Sequence, residues 1–158
     1  GYCAVKPAPS DIVITTNGGY PLDQNAYQCP KGMSAAEATV NDGGVIIMLA
    51  TCQDGHGGES YYHSIADAES ADAFFQQCLH TPQVETLPDQ WCAQIWCRIV
   101  RKYKVLFVAD KAQEQLIRDL KVEYFETLDE AYARARELKG PDATLACIPN
   151  GVSVVVKD

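Results

Sequence analysis

The sequence predicts an α/β fold, a three-layer αβα domain on a mostly parallel sheet, and three observations predict it. Short β-branched or apolar runs recur along the chain, at Asp11-Ile-Val-Ile-Thr-Thr16, Gly43-Gly-Val-Ile-Ile-Met-Leu-Ala50 and Lys104-Val-Leu-Phe-Val-Ala109. Stretches of helix formers separate them, and parallel strands need such crossovers because a tight turn cannot join them. The run from Val45 to Ala50 is apolar at every position, which suits a strand covered on both faces better than one with a wet face.

In chain order, residues 1–10 carry Pro7 and Pro9 and little apolar periodicity, so they read as a linker, with the domain at 11–158. The chain opens at Gly1-Tyr2 without a methionine, as a processed, tagged or excised piece does. The first strand, from Asp11, closes at Asn17-Gly18-Gly19, the punctuation of a sharp turn. Helix formers follow from Asp23, broken at Pro30 and Gly32 and restarted by Ser34-Ala-Ala-Glu37, a capping box, so two short helices are expected. The second strand ends in Asp54-Gly-His-Gly-Gly58. Residues 60–79 have mixed helical spacing, and 88–100 form a clearer helix with Trp91, Ile95 and Ile99 on one stripe. After the strand at Lys104 come a helix near 112–120, a short strand at 122–125, and a helix opened by the capping box Thr127-Leu-Asp-Glu130 and closed at Gly140-Pro141. Residues 144–148 and 152–156, separated by Pro149-Asn-Gly151, read as a C-terminal antiparallel hairpin.

The 158 residues fit one domain, and 47% hydrophobic with 22% charged residues exclude intrinsic disorder. A net charge of −8 repels a nucleic-acid backbone, and no apolar run approaches a membrane span, so neither partner is expected. Seven cysteines, an odd number without a Cys-x-x-Cys pair, are expected as reduced structural thiols in a cytoplasmic protein. Cys147, within Leu145-Ala-Cys-Ile148, is read as a small buried hydrophobe.

Ligands of such sheets sit beyond the carboxyl ends of the strands, where the loops 17–24 and 54–58 fall. The first of these can offer backbone amides to an anion, yet it lacks a Walker ending and the Gly-x-Gly-x-x-Gly fingerprint, and a ligand-free turn explains it as well. Gln28 and Lys31, three apart, can converge on a small carboxylate, although a Gln and a Lys on a helix are more often solvated surface. Pro30 between them can end the helix early and weaken that convergence. Trp91 shares its stripe with two isoleucines and reads first as core; Trp96 reads as core outright. His56, His63 and His80 are solitary, so no metal site is expected, and no Gly-x-Ser-x-Gly elbow occurs.

The stretches Asn17-Gly-Gly-Tyr-Pro-Leu-Asp-Gln-Asn25, Tyr27-Gln28, Lys31-Gly-Met-Ser-Ala-Ala-Glu37, Asp42-Gly-Gly44 and Asp54-Gly-His-Gly-Gly58, continued by Trp91-Cys-Ala-Gln-Ile95, closely resemble the C-terminal domain of the nickel-dependent lactate racemase family. The resemblance covers nearly the whole chain. It implies a two-domain enzyme with its active site in the cleft between the domains, where a nickel pincer nucleotide accepts a hydride from the α-carbon of a short 2-hydroxy acid and returns it to the other face. It further implies that Tyr27, Gln28 and Lys31 line the substrate and cofactor side of the cleft, with Lys31 on the substrate carboxylate, and that Trp91 is an aromatic wall. The family's cofactor lysine, nickel histidine and acid/base histidines belong to its N-terminal domain, so no catalytic residue and no metal ligand is expected here. The implied partners are that N-terminal domain and the substrate, and the isolated chain is expected to be inactive.

Two other readings remain open at this point. One is a non-catalytic module of the same fold that binds a small anion or a protein and exposes an apolar patch. The other, a dehydrogenase-like nucleotide domain, suffers from the missing glycine fingerprint.

Overall fold

The structure, a computed structural model, describes residues 3–157, so Gly1 and Tyr2 of the expected linker, and Asp158, lie outside the described residues. Among the described residues seven strands and six α-helices follow in the order β1 (Ala4–Val5), β2 (Ser10–Thr16), α1 (Cys29–Glu37), β3 (Val40–Leu49), α2 (Glu59–Ala66), α3 (Ala71–His80), α4 (Gln90–Lys102), β4 (Lys104–Val108), α5 (Glu114–Asp119), β5 (Glu123–Phe125), α6 (Leu128–Lys139), β6 (Leu145–Ile148) and β7 (Val155–Val156). Five of the strands form one all-parallel sheet in the order β5-β4-β3-β2-β6. The chain therefore steps outward from β2 to β5 on one side and returns to β2's other side with β6.

The continuous apolar runs have a simple cause. Side chains alternate across a strand, and both faces of this sheet are covered. Val45 and Ile47 of β3 pack with Leu106 and Val108 of β4 against Ala131 and Ala135 of α6, while Ile46 and Met48 join Val105 and Phe107 under α1 to α5 with Met33, Trp96, Ile99 and Ile117. The small alanines on α6 let that helix lie close to the strands. Its capping box forms as the sequence predicts: Glu130 N donates to Thr127 Oγ1, and Thr127 N donates to the Glu130 carboxylate.

Three local expectations are corrected. The C-terminal antiparallel hairpin does not form: β6 runs parallel to β2, with Ile12 opposite Leu145 and Thr15 opposite Ile148, and β7 runs parallel to β1. The turn groups of Pro149-Asn-Gly151 bond to the end of β2 instead of closing a hairpin. Thr16 Oγ1 donates to Pro149 O at 2.6 Å, and Gly151 N donates to Thr16 O at 2.9 Å. The chain then crosses to the segment expected as a linker, where Val155 N donates to Cys3 O.

Ser34 does not open a helix either. Pro30 falls in the first turn of α1, where a missing amide costs nothing, so one helix runs from Cys29 to Glu37 and the Ser34 hydroxyl donates to Pro30 O. Gly32 sits inside it for a packing reason, since a Cβ there would stand 2.5 Å from Asn17 Oδ1 and 3.1 Å from Thr16 O. Cys147, finally, is exposed, because β6 is an edge strand.

Candidate functional site

Both glycine-bearing loops lie at the carboxyl edge of the sheet, and the second braces the first. Cys52 N donates to Asp23 O, Asp54 N to Gln24 O, Ala26 N to Gly55 O and Tyr27 N to His56 O, at 2.7–3.1 Å. The loop after β2 uses its amides internally: Gly18 N bonds the Thr16 hydroxyl and Leu22 N bonds Gly19 O, which leaves those two amides unavailable to an anion. Free side-chain donors come from the next segment.

A 3-10 turn at Ala26–Gln28 runs straight into α1, with Gln28 as the N-cap. Because Pro30 does not stop the helix, Gln28 and Lys31 do share a face, and Lys31 Nζ donates to Gln28 Oε1 at 2.5 Å. An ammonium has only donors, so the Gln28 amide turns its oxygen to Lys31 and its NH2 away. Exposed Lys31 keeps two further N–H groups. The pair is thus a compact set of donors carrying one positive charge, the complement of a carboxylate.

Tyr27 stands behind the pair, half-buried. Its ring meets Tyr61 edge-on at 5.4 Å and Trp91 edge-on at 6.3 Å, and its hydroxyl donates to Asp89 Oδ1 at 3.0 Å. Burial, and next the bond to Asp89, push the Tyr27 phenol up to about 12, so at neutral pH it is a hydrogen-bonding group and not an acid. Trp91 is 55% exposed, which corrects the core reading of its stripe. The stripe sinks inward along α4: Ile95 is half-buried and Ile99 buried, whereas Trp91 occupies the first turn and overhangs the domain. Trp96 is core, fully buried with Nε1 donating to Leu120 O at 2.9 Å. The structure therefore brings Lys31 to Gln28 and Trp91 to Tyr27.

Two residues that position this cluster were not singled out from sequence. Asp89 takes a left-handed backbone (φ 61°), which aspartate tolerates, and ties the start of α4 to Tyr27. Asn17, read only as turn punctuation, is buried and bonded into α1. Pro88-Asp before a helix was a legible turn signal, but nothing local reveals that the carboxylate reaches Tyr27.

A pocket of about 320 Å³ opens at the carboxyl ends of β2, β3 and β4, lined by Thr16, Asp23, Thr51, Asp110 and Glu126 among others. Its three carboxylates repel an anion, and Tyr27, Gln28, Lys31 and Trp91 are not among its walls. Among the described residues no group of three or more His, Cys, Asp or Glu side chains is gathered to hold a metal ion. His56 serves its own loop: Nδ1 accepts from Gly58 N at 3.1 Å, and its ring stacks on Tyr62. Burial raises the thiols of Cys29 and Cys92, the latter to about 12, so both stay protonated and are poor ligands. The donor groups among the described residues do not fit a nickel site.

A parallel sheet whose strand order reverses at β2, with a cation and an amide presented at its carboxyl edge, defines the class: an open, doubly wound parallel α/β domain. Comparison with known proteins narrows it. Residues 5–156 match the family described as lactate racemase C-terminal domain, and the chain belongs to that family. Over 154 residues it is 50% identical to a lactate racemase of Lactiplantibacillus plantarum and 45% identical to one of Thermoanaerobacterium thermosaccharolyticum, in each case covering 98% of this chain and 36% of the relative. The chain thus spans about a third of the length of these curated relatives. The structure of the lactate racemase apoprotein from Thermoanaerobacterium thermosaccharolyticum superposes with a TM-score of 0.95 at 44% identity, over 99% of this chain and 37% of that one.

Proposed function

We propose that this chain acts as the substrate-anchoring domain, 11–158 with a short leading segment, of a racemase or epimerase of a short 2-hydroxy acid such as lactate. The observation that carries this reading is the contact between Lys31 and Gln28, which assembles a charged donor set on one helix face. In this role Lys31 and the Gln28 amide hold the substrate carboxylate, while Tyr27 and Trp91 wall the site with aromatic surface and a neutral hydroxyl. Fixing the carboxylate on a rigid helix end orients the α-carbon, which is where binding energy becomes rate. The nickel pincer nucleotide of such a racemase supplies the hydride chemistry when bound. Its hold, and the acid/base groups, are assigned to polypeptide outside this chain, because the donor set here does not fit the metal.

The partner in this reading is the larger remainder of the length that the relatives have. Leu79, Val84 and Leu87 are exposed on the stretch leading to Trp91, an apolar surface suited to a neighbouring domain. No helix among the described residues is long and apolar enough to cross a membrane. All seven cysteines are free, which suits a reducing cytoplasm.

The test is interconversion of D- and L-lactate by the full-length gene product matured with the cofactor, followed by chiral separation. Racemisation that disappears in a folded Lys31→Ala, Gln28→Ala double variant supports the assignment. Full turnover by that double variant overturns it.

A further inference from the structure

We propose that Asn17 is a positioning residue that sets the pitch and direction of the first turn of α1, and through it the placement of Gln28 and Lys31. The inference rests on reading those two residues as substrate anchors.

Asn17 is the residue just past β2, and it is 1% exposed. Its carboxamide uses all of its near-side bonding capacity on backbone. Nδ2 donates to Leu22 O at 2.7 Å and to Gln28 O at 2.9 Å, while Oδ1 accepts from Gly32 N at 3.1 Å. Gln28 O and Gly32 N are four residues apart, the pair that closes the first turn of an α-helix. One side chain from the sheet therefore grips both ends of the turn in which Lys31 lies, immediately before one grip, and from which Gln28 projects, at the other.

The surroundings hold the grip in place. Asn17 itself pairs through its backbone with Asn150 in an antiparallel bridge. Gly32 presses on Asn17 from one side, and a Cβ at Gly151 would stand only 2.7 Å from Gly32 Cα on the other. The helix end cannot roll without breaking two hydrogen bonds to one buried group, whose third bond ties it to the loop at Leu22. A helix entry fixed only by its 3-10 turn would leave the Lys31 ammonium free to swing over solvent. Preorganisation of this kind matters because a displacement near 1 Å in a binding group can cost on the order of 100-fold in kcat/KM.

The experiment compares Asn17→Ser, Lys31→Ala and the double variant in the full-length gene product, alongside amide hydrogen exchange of the 158-residue chain. Serine is too short to reach both backbone groups. The expected result is faster exchange at Gly32 and Met33 than at the β3 core, a rise in KM for lactate on the order of 10- to 100-fold with kcat changed far less, and a double variant no worse than Lys31→Ala alone. A merely structural role would instead reduce the amount of active protein and leave KM unmoved. Wild-type KM in folded Asn17→Ser, where Lys31→Ala raises KM, overturns the inference while sparing the anchors. Wild-type KM in Lys31→Ala overturns the anchor reading itself. If Asn17→Ser does not fold, Gly32→Ala, whose new Cβ drives the Asn17 carboxamide off its bonds, takes its place and is read by the same outcomes.

Discussion

The Tyr27 hydroxyl donates to Asp89 Oδ1 across 3.0 Å, joining the turn before α1 to the turn before α4, where Trp91 meets the Tyr27 ring edge-on. Tyr27 is pushed up to about 12 by burial first and by this bond second. Asp89→Asn should therefore bring its midpoint down only part of the way to 10, because the burial remains. Phenolate absorbance across alkaline pH, differenced against Tyr27→Phe, reads this directly. A midpoint at the ordinary value in Asp89→Asn would show that the carboxylate alone sets it.

Under the proposed role, truncating Lys31 and Gln28 should weaken substrate binding by unequal amounts. Lys31→Ala removes a charge-assisted bond, with an expected loss of about 1.5–3 kcal/mol, and Gln28→Ala removes a neutral one, about 0.5–1.5 kcal/mol. Lactate KM for each variant of the full-length gene product checks the order; equal losses would contradict the assignment of the carboxylate to Lys31.

The two tryptophans should part company in unfolding experiments. Trp96, fully buried, should cost about 3–5 kcal/mol on replacement by alanine. Trp91, 55% exposed and touching Tyr27 only edge-on, should cost no more than about 1 kcal/mol. Urea melts of the chain followed by far-ultraviolet dichroism measure both.

Thiol reactivity should sort by location. Cys3 and Cys147 are exposed and should react rapidly with a chromogenic disulfide, with Cys78 slower. Cys29, Cys52, Cys92 and Cys97 are buried, and burial raises three of them, Cys92 and Cys97 to about 12, so they should react only on unfolding. More than three reactive thiols in the native chain, the slower Cys78 included, would contradict the packing beneath the site.

Acid should loosen the join between β2 and β6. Asp11 accepts from Asn41 Nδ2, from Thr144 N and from Thr144 Oγ1, and these bonds hold its carboxyl at about 2, below its ordinary 3.8. A depressed carboxyl stabilises the fold fully above the unfolded value and loses that contribution as pH falls from about 4 through about 2. Urea midpoints of the native chain and Asp11→Asn should differ near neutrality and converge toward pH 2; a constant gap would contradict the linkage.

Much of this molecule was legible because its signals are local. Thr127 and Glu130 cap each other three residues apart, and the apolar run from Val45 to Leu49 announces a strand with both faces covered. The C-terminal hairpin failed for the opposite reason. Pro149-Asn-Gly151 is good hairpin chemistry, but the partner of Val155 is Ala4, at the far end of the chain, and no window around residue 150 contains that fact. Cys147 likewise looks buried until the edge position of β6 is known. At the site, Gln28 and Lys31 could be paired from spacing, and the contact follows once Pro30 is seen to start the helix instead of stopping it. Asp89 and Asn17 act across gaps that only the folded chain closes.

The pairing of Ala4–Val5 with Val155–Val156 gives the domain a clasp. Any tension transmitted through the polypeptide ends meets this two-rung ladder before it reaches the five-stranded sheet. Because the two strands run parallel, opposed tugs on the flanks would shear the clasp before loading α1 and its sheet.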